Sequence, residues 1–146
     1  MMSKNVKLYR PVGADELRLI IESGMTGFPP RLFWQPIFYP VLNFQYAAEI
    51  AERWNMGDPE SEGAGFVTEF EIPEDLFLTF PIQTVGLDHH QELWVRAEEL
   101  DTFNSRIVGG ISVSASYIGK KFTMPDEIKN VIPYSLVNWP GFYFCL

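Results

Sequence analysis

The side chains able to do chemistry are few and widely spaced. The only histidines, His89 and His90, are adjacent. Neighbours on a strand face opposite ways, so they make a poor pair of metal ligands, and no metal site is expected. The single cysteine, Cys145, lies near the end of the chain and has no second thiol for a zinc site or a disulfide. No serine occupies a recognisable nucleophile elbow, and no glycine loop has Walker or Rossmann spacing. Three other placements stand out. Tyr9 and Arg10 close an alternating segment, Tyr39 precedes a helical stretch, and Glu92 directly precedes the apolar run Leu93-Trp94-Val95.

The elements that must carry these residues follow from periodicity. Val6 to Arg10 alternates apolar and polar side chains, and the pattern predicts a half-buried strand stopping at Pro11. Ala14 to Ser23 reads as a helix with Leu17, Leu19, Ile20 and Ile21 on its apolar side and Gly24 as its terminator. Met25 to Pro36 is a loop rich in proline, yet it carries Phe28, Leu32, Phe33 and Trp34. Such a loop either packs down or offers a contact surface. Ile37 to Leu42 is a short strand broken by Pro40, and Asn43 is a good cap for a helix over Phe44 to Trp54. That helix would bury Ala47, Ile50, Ala51 and Trp54. After a polar connector from Asn55 to Gly65 come strands at Phe66–Ile72, Leu76–Phe80, Ile82–Val85 and Leu93–Arg96. A helical turn follows at Ala97–Phe103, then a long strand over Ile107–Tyr117 that bulges at Gly109-Gly110. A capped helix start at Thr123–Glu127 leads to an aromatic tail, Pro133–Leu146, expected to dock on the body.

Composition sets the outer bounds. The 146 residues fit one domain, residues 1–146, large enough for a core without staples. Aromatic residues make up 15% of the chain, which implies either a bulky core or an aromatic-lined pocket. The net charge of −8 repels a polyanion at long range and disfavours nucleic-acid binding. A local basic pocket for a small phosphate compound remains compatible with it. No apolar run approaches the ~20 residues of a membrane span, and the first ten residues lack a signal-peptide pattern. With the lone cysteine, this leads to the expectation of a soluble, cytoplasmic protein.

Taken in order, these residues resemble the ADP-ribosyltransferase superfamily, including small bacterial proteins of ADP-ribosylation type. The likeness rests on Tyr9-Arg10 ending the first strand, Ile37-Phe38-Tyr39 feeding the helix with Tyr46-Ala47-Ala48-Glu49-Ile50-Ala51, and Gln91-Glu92-Leu93-Trp94-Val95 late in the chain. It covers roughly residues 6–117 and implies an α+β fold, with a core of two small β-sheets and flanking helices. It also implies NAD as substrate. Glu92 would be the catalytic residue, binding the ribose hydroxyl and stabilising the developing cation. Arg10 would hold a phosphate or ribose, and Tyr39 would stack on the nicotinamide, with Tyr9 and His90 beside the dinucleotide. His90 stands where arginine-directed members carry an acidic residue, which leaves other acceptors, or NAD hydrolysis, open. The chemistry is coherent: nicotinamide–ribose cleavage passes through an oxocarbenium-like state that a fixed carboxylate stabilises beyond the ground state.

Each position also has an ordinary reading. Arg10 could be a solvated or surface-paired arginine, Tyr39 core or rim, and Glu92 an exposed strand-edge charge. The alternative function is a non-catalytic α+β module that binds a protein through the Phe28–Trp34 loop and the C-terminal tail.

Overall fold

The computed structural model describes residues 4–55, 63–119, 122–132, 137–139 and 142–144. The chain is α+β. The main sheet is built on β1 (Asn5–Val12), β3 (Ala64–Pro73) and β7 (Val108–Ile118), in the order β1-β3-β7. β1 and β3 pair antiparallel from Asn5↔Pro73 to Val12↔Phe66. The strand does not stop at Pro11. The N–H and C=O of Tyr9 bond Val41 on the outer side (2.9 and 2.7 Å). The nitrogen of Pro11, two residues on, faces the same way, so its missing proton is not missed by β3.

β7 bulges where its glycines predict. The register passes from Glu69↔Ser112 to Glu71↔Val108. Gly109 and Gly110, at φ 77° and 81°, take up the extra residues in a conformation other residues rarely adopt. Two backbone segments of the tail, β8 (Val137–Trp139) and β9 (Phe142–Phe144), extend the sheet, β8 running parallel to β7. The rest of the tail and Cys145 lie outside the described residues, as does most of the polar connector before β3.

Helices cover both faces. α1 (Ala14–Glu22) buries Ala14, Leu17 and Ile20 at three-residue intervals, while Leu19, two positions round the helix, is exposed. This face holds Leu8, Phe66, Phe70 and Ile72 from the sheet, with Phe28, Phe38 and Phe103 packed ring to ring upon them (Phe28–Phe38 4.8 Å, Phe38–Phe103 5.6 Å). α2 (Phe44–Asn55) covers the other face, where Ala47 and Ala51 meet Val41, Val67, Ala115 and Tyr117. It lies so close to β3 that a Cβ on Gly65 would overlap the carbonyl of Ala51.

Three expected strands are revised. Leu76–Phe80 forms the end of α3 (Glu74–Phe77) and the turn after it. Pro73 sits extended before that helix, and Glu74 and Asp75 favour its positive end. Ile82–Val85 shortens to β4 (Gln83–Thr84). Leu93–Arg96 shortens to its second half. Gln91–Glu92 (β5) pairs with β4, and after a break Val95–Arg96 (β6) pairs with β2 (Ile37–Phe38). The anticipated pair of small sheets is therefore one five-stranded sheet with two short ladders beside it. The β4–β5 ladder joins the main sheet through Val41, which bridges Tyr9 on one side and Glu92 on the other. Leu42 N–H to Gln91 O (3.0 Å) and Leu93 N–H to Pro40 O (2.9 Å) complete this seam. After β6 come a 3-10 turn (Ala97–Glu99), α4 (Leu100–Ser105) and, beyond β7, α5 (Asp126–Lys129). Among the described residues no helix is long and apolar enough to cross a membrane.

Candidate functional site

The seam brings the chemistry together. Bridged residues share a face of the sheet, so Tyr9, Val41 and Glu92 project toward α2. Asn43 caps that helix, accepting the Tyr46 N–H on Oδ1 (2.8 Å), while its Nδ2 donates to the carbonyl of His89 (2.7 Å). One side chain thus fixes both the start of α2 and the turn ahead of β5. The consequence is felt one turn into α2, where the Tyr46 hydroxyl donates to Glu92 Oε2 (3.0 Å). Trp94 Nε1 donates to Oε1 (2.8 Å).

Glu92 is therefore a buried carboxylate, 8% exposed, with each oxygen held by a neutral donor. Among the described residues no cationic side chain forms a hydrogen bond or ion pair with it. Each oxygen keeps an acceptor position for a ligand hydroxyl or a developing positive charge. The reading of Glu92 as an exposed edge charge is set aside. Burial, the hydrogen bond to Glu92 and the charge of that carboxylate push the Tyr46 hydroxyl up to about 12. It remains a proton donor throughout the neutral range.

Exposed rings border the carboxylate. Tyr39 and Trp94, 39% and 45% exposed, meet edge to face at 6.4 Å and 89°. Phe44, on the first turn of α2, meets Tyr9 at 6.0 Å. Tyr39, Tyr9 and Glu92 are thus brought to one face, with Tyr46 and Trp94 as partners that patterning did not single out. Trp94 could have been noticed from its i+2 position on the Glu92 side of an extended segment. Tyr46 could not, because its role depends on where α2 docks.

Arg10 is separated from them. It lies on the α1 face of β1, 7% exposed, its guanidinium forked onto Glu16 (2.6 and 2.9 Å) and 4.7 Å over the Phe38 ring. It is not a solvated surface arginine. Its Nη1 reaches back to the carbonyl of Tyr39 (3.4 Å), bracing the backbone beneath that ring. Arg31 completes this side. Its Nε donates to Ile37 O (3.1 Å), and burial together with the like charge of Arg10 pulls its guanidinium below the ordinary arginine value.

The histidines do not sit within a strand. His89 lies in a turn and His90 just before β5, which frees both rings to point the same way. Their centroids are 4.4 Å apart, and both reach Glu49 on α2 (2.8 and 3.0 Å). Those two hydrogen bonds hold the Glu49 carboxyl below its usual value. His90 also stacks on Tyr46 at 4.5 Å, so it touches the group that holds Glu92.

The aromatic loop divides. Phe28 is core, whereas Phe33 and Trp34 are 95% and 70% exposed. A depression of about 390 Å³ between Thr26, Asn104 and Gly110 involves none of these site residues. Compared with protein-family models, curated proteins and solved structures, the chain has no match.

Proposed function

We propose that this protein cleaves the nicotinamide–ribose bond of NAD, transferring ADP-ribose to an acceptor or to water. The observation that carries the reading is Glu92: a buried carboxylate, oriented by Tyr46 and Trp94, facing exposed aromatic rings. Bond cleavage builds positive charge on the ribose, and a fixed carboxylate in a poorly solvated site stabilises that charge more than the neutral sugar. The perpendicular Tyr39 and Trp94 rings form a corner suited to the cationic nicotinamide ring. Arg10 is forked onto Glu16, whereas Arg31 bonds the neutral Ile37 carbonyl and Gln35 side chain, which leaves positive charge behind Tyr39 for the pyrophosphate. Arg31, the more exposed of the two, would make that contact, and Arg10 would brace Tyr39 from below.

The test is release of free nicotinamide from NAD, followed by proton NMR, with Glu92→Gln alongside. The variant keeps one acceptor oxygen for Trp94, and its amide can donate to a rotated Tyr46 hydroxyl, so the fold should survive. Wild-type release that falls at least ~100-fold in the variant is the expected outcome, in line with the loss of a fixed electrostatic group. Equal rates in the two proteins would remove Glu92 from the chemistry.

A second reading rests on the exposure of Phe33 and Trp34: this tip would serve as a protein-docking surface. Replacing both by Ser should then abolish capture of a partner while leaving nicotinamide release untouched.

A further inference from the structure

We infer that Glu49, His89 and His90 form a binding site for a first-row divalent metal ion of the zinc class. The three side chains offer one carboxylate oxygen and two imidazole nitrogens, all within 4.8 Å of one another. Two histidines and a glutamate are a recurrent zinc set, with the remaining positions left to water or substrate. The ligands come from two elements that Asn43 ties together, Glu49 from α2 and the histidines from the turn ahead of β5. The rings are partly exposed, which gives an ion a path from solvent.

The hydrogen bonds define what binding must change. His90 Nδ1 accepts the Leu87 N–H (3.1 Å), so in the neutral ring the proton sits on Nε2 and is donated to Glu49. His89 Nε2 faces the other oxygen of the same carboxylate. An ion at the centre takes the place of both Nε2 protons, and each imidazole stays neutral by carrying its proton on Nδ1 instead. His90 then releases the Leu87 amide, which lies at the surface and passes to water. One exposed hydrogen bond is a cost of roughly tenfold or less in affinity. Closing the ligands to ~2.0–2.1 Å from the ion requires the rings to draw in, which the turn permits.

The test uses the full-length protein, stripped with chelator and titrated with Zn2+ by calorimetry, with Co2+ as a spectroscopic probe. The expected result is one ion per chain, with tetrahedral-type cobalt absorption. Nitrogen-15 NMR should show both rings changing from the Nε2–H to the Nδ1–H tautomer. Glu49→Gln and His89→Ala should each weaken binding by at least ~100-fold, since losing even an outer partner of a metal ligand costs 10–100-fold. His89→Ala is the safer variant, because His90 packs on Tyr46 and against Gly86. Absence of binding, a wild-type affinity in both variants, or unchanged tautomers would overturn the site. The readout is independent of NAD chemistry, so this inference and the functional proposal stand or fall separately.

Discussion

At the scale of single residues, the centre of the candidate site is a carboxylate shared between two kinds of neighbour. Glu92 accepts from a hydroxyl and an indole rather than from a cation, and each donor is itself positioned by something else. Tyr46 is stacked on His90 and set by the Asn43 cap, while Trp94 meets Tyr39. The Tyr46 hydroxyl, pushed up to about 12 largely by burial and by Glu92, gives a direct check on this arrangement. In carbon-13 NMR of the ring, Tyr46 should remain protonated at pH 11. Glu92→Gln removes the nearby negative charge that opposes ionisation, so the Tyr46 transition should move to lower pH. An unmoved transition would mean that the two groups are not in contact.

At the scale of elements, α2 does most of the positioning, since it presents both Tyr46 and Glu49. Its placement depends on Gly65, whose missing side chain lets the Ala51 carbonyl come down on β3. Gly65→Ala should therefore push the helix outward and cost about 1–3 kcal/mol, the usual range for overpacking. Denaturant unfolding reads the stability, and the Tyr46 ring signals should shift in the folded variant. Another tie links α3 to the end of α4, where Arg106 donates to both oxygens of Asp75 (3.2 and 3.0 Å). Arg106 holds the Asp75 carboxyl below its ordinary 3.8. The stabilisation is then complete above that value and is lost as pH falls through the lower, folded-state one. Arg106→Gln should lower the melting temperature slightly at pH 7, and the difference should close in acid. A difference that persisted at low pH would assign the effect to packing of the arginine stem.

At the scale of the whole molecule, the sequence disclosed more of the fold than of the site. Strong alternation made β1 and β3 legible, and Gly109-Gly110 announced the bulge in β7. Short segments failed where pattern and tertiary contacts competed. Leu76–Phe80 has strand-like composition but follows an extended proline and two acids that start a helix. Leu93–Arg96 is apolar enough for one strand, yet its first half is the break between the ladder of Gln91–Glu92 and that of Val95–Arg96. The site suffered most, because its logic is one of faces. Arg10 and Tyr9 are neighbours in the chain and lie on opposite sides of the sheet. His89 and His90 would be opposed on a strand and converge in a turn. No spacing rule reports which neighbour a turn will rotate.

The single-residue bridge at Val41 carries a consequence for how this molecule breathes. Apart from the Tyr9 N–H, which β1 contributes, everything beyond the bridge, including Glu92 and Trp94, is joined to the main sheet there by the amides of Val41, Leu42 and Leu93. These three protons should exchange with deuterium as one group, on a clock separate from that of β1 and β3. Tyr46 lies on one side of the seam and Glu92 on the other, so a small molecule gripping both would act as a bolt across it. The same three amides would then slow together, and the seam itself would register occupancy of the site before any bond is made or broken.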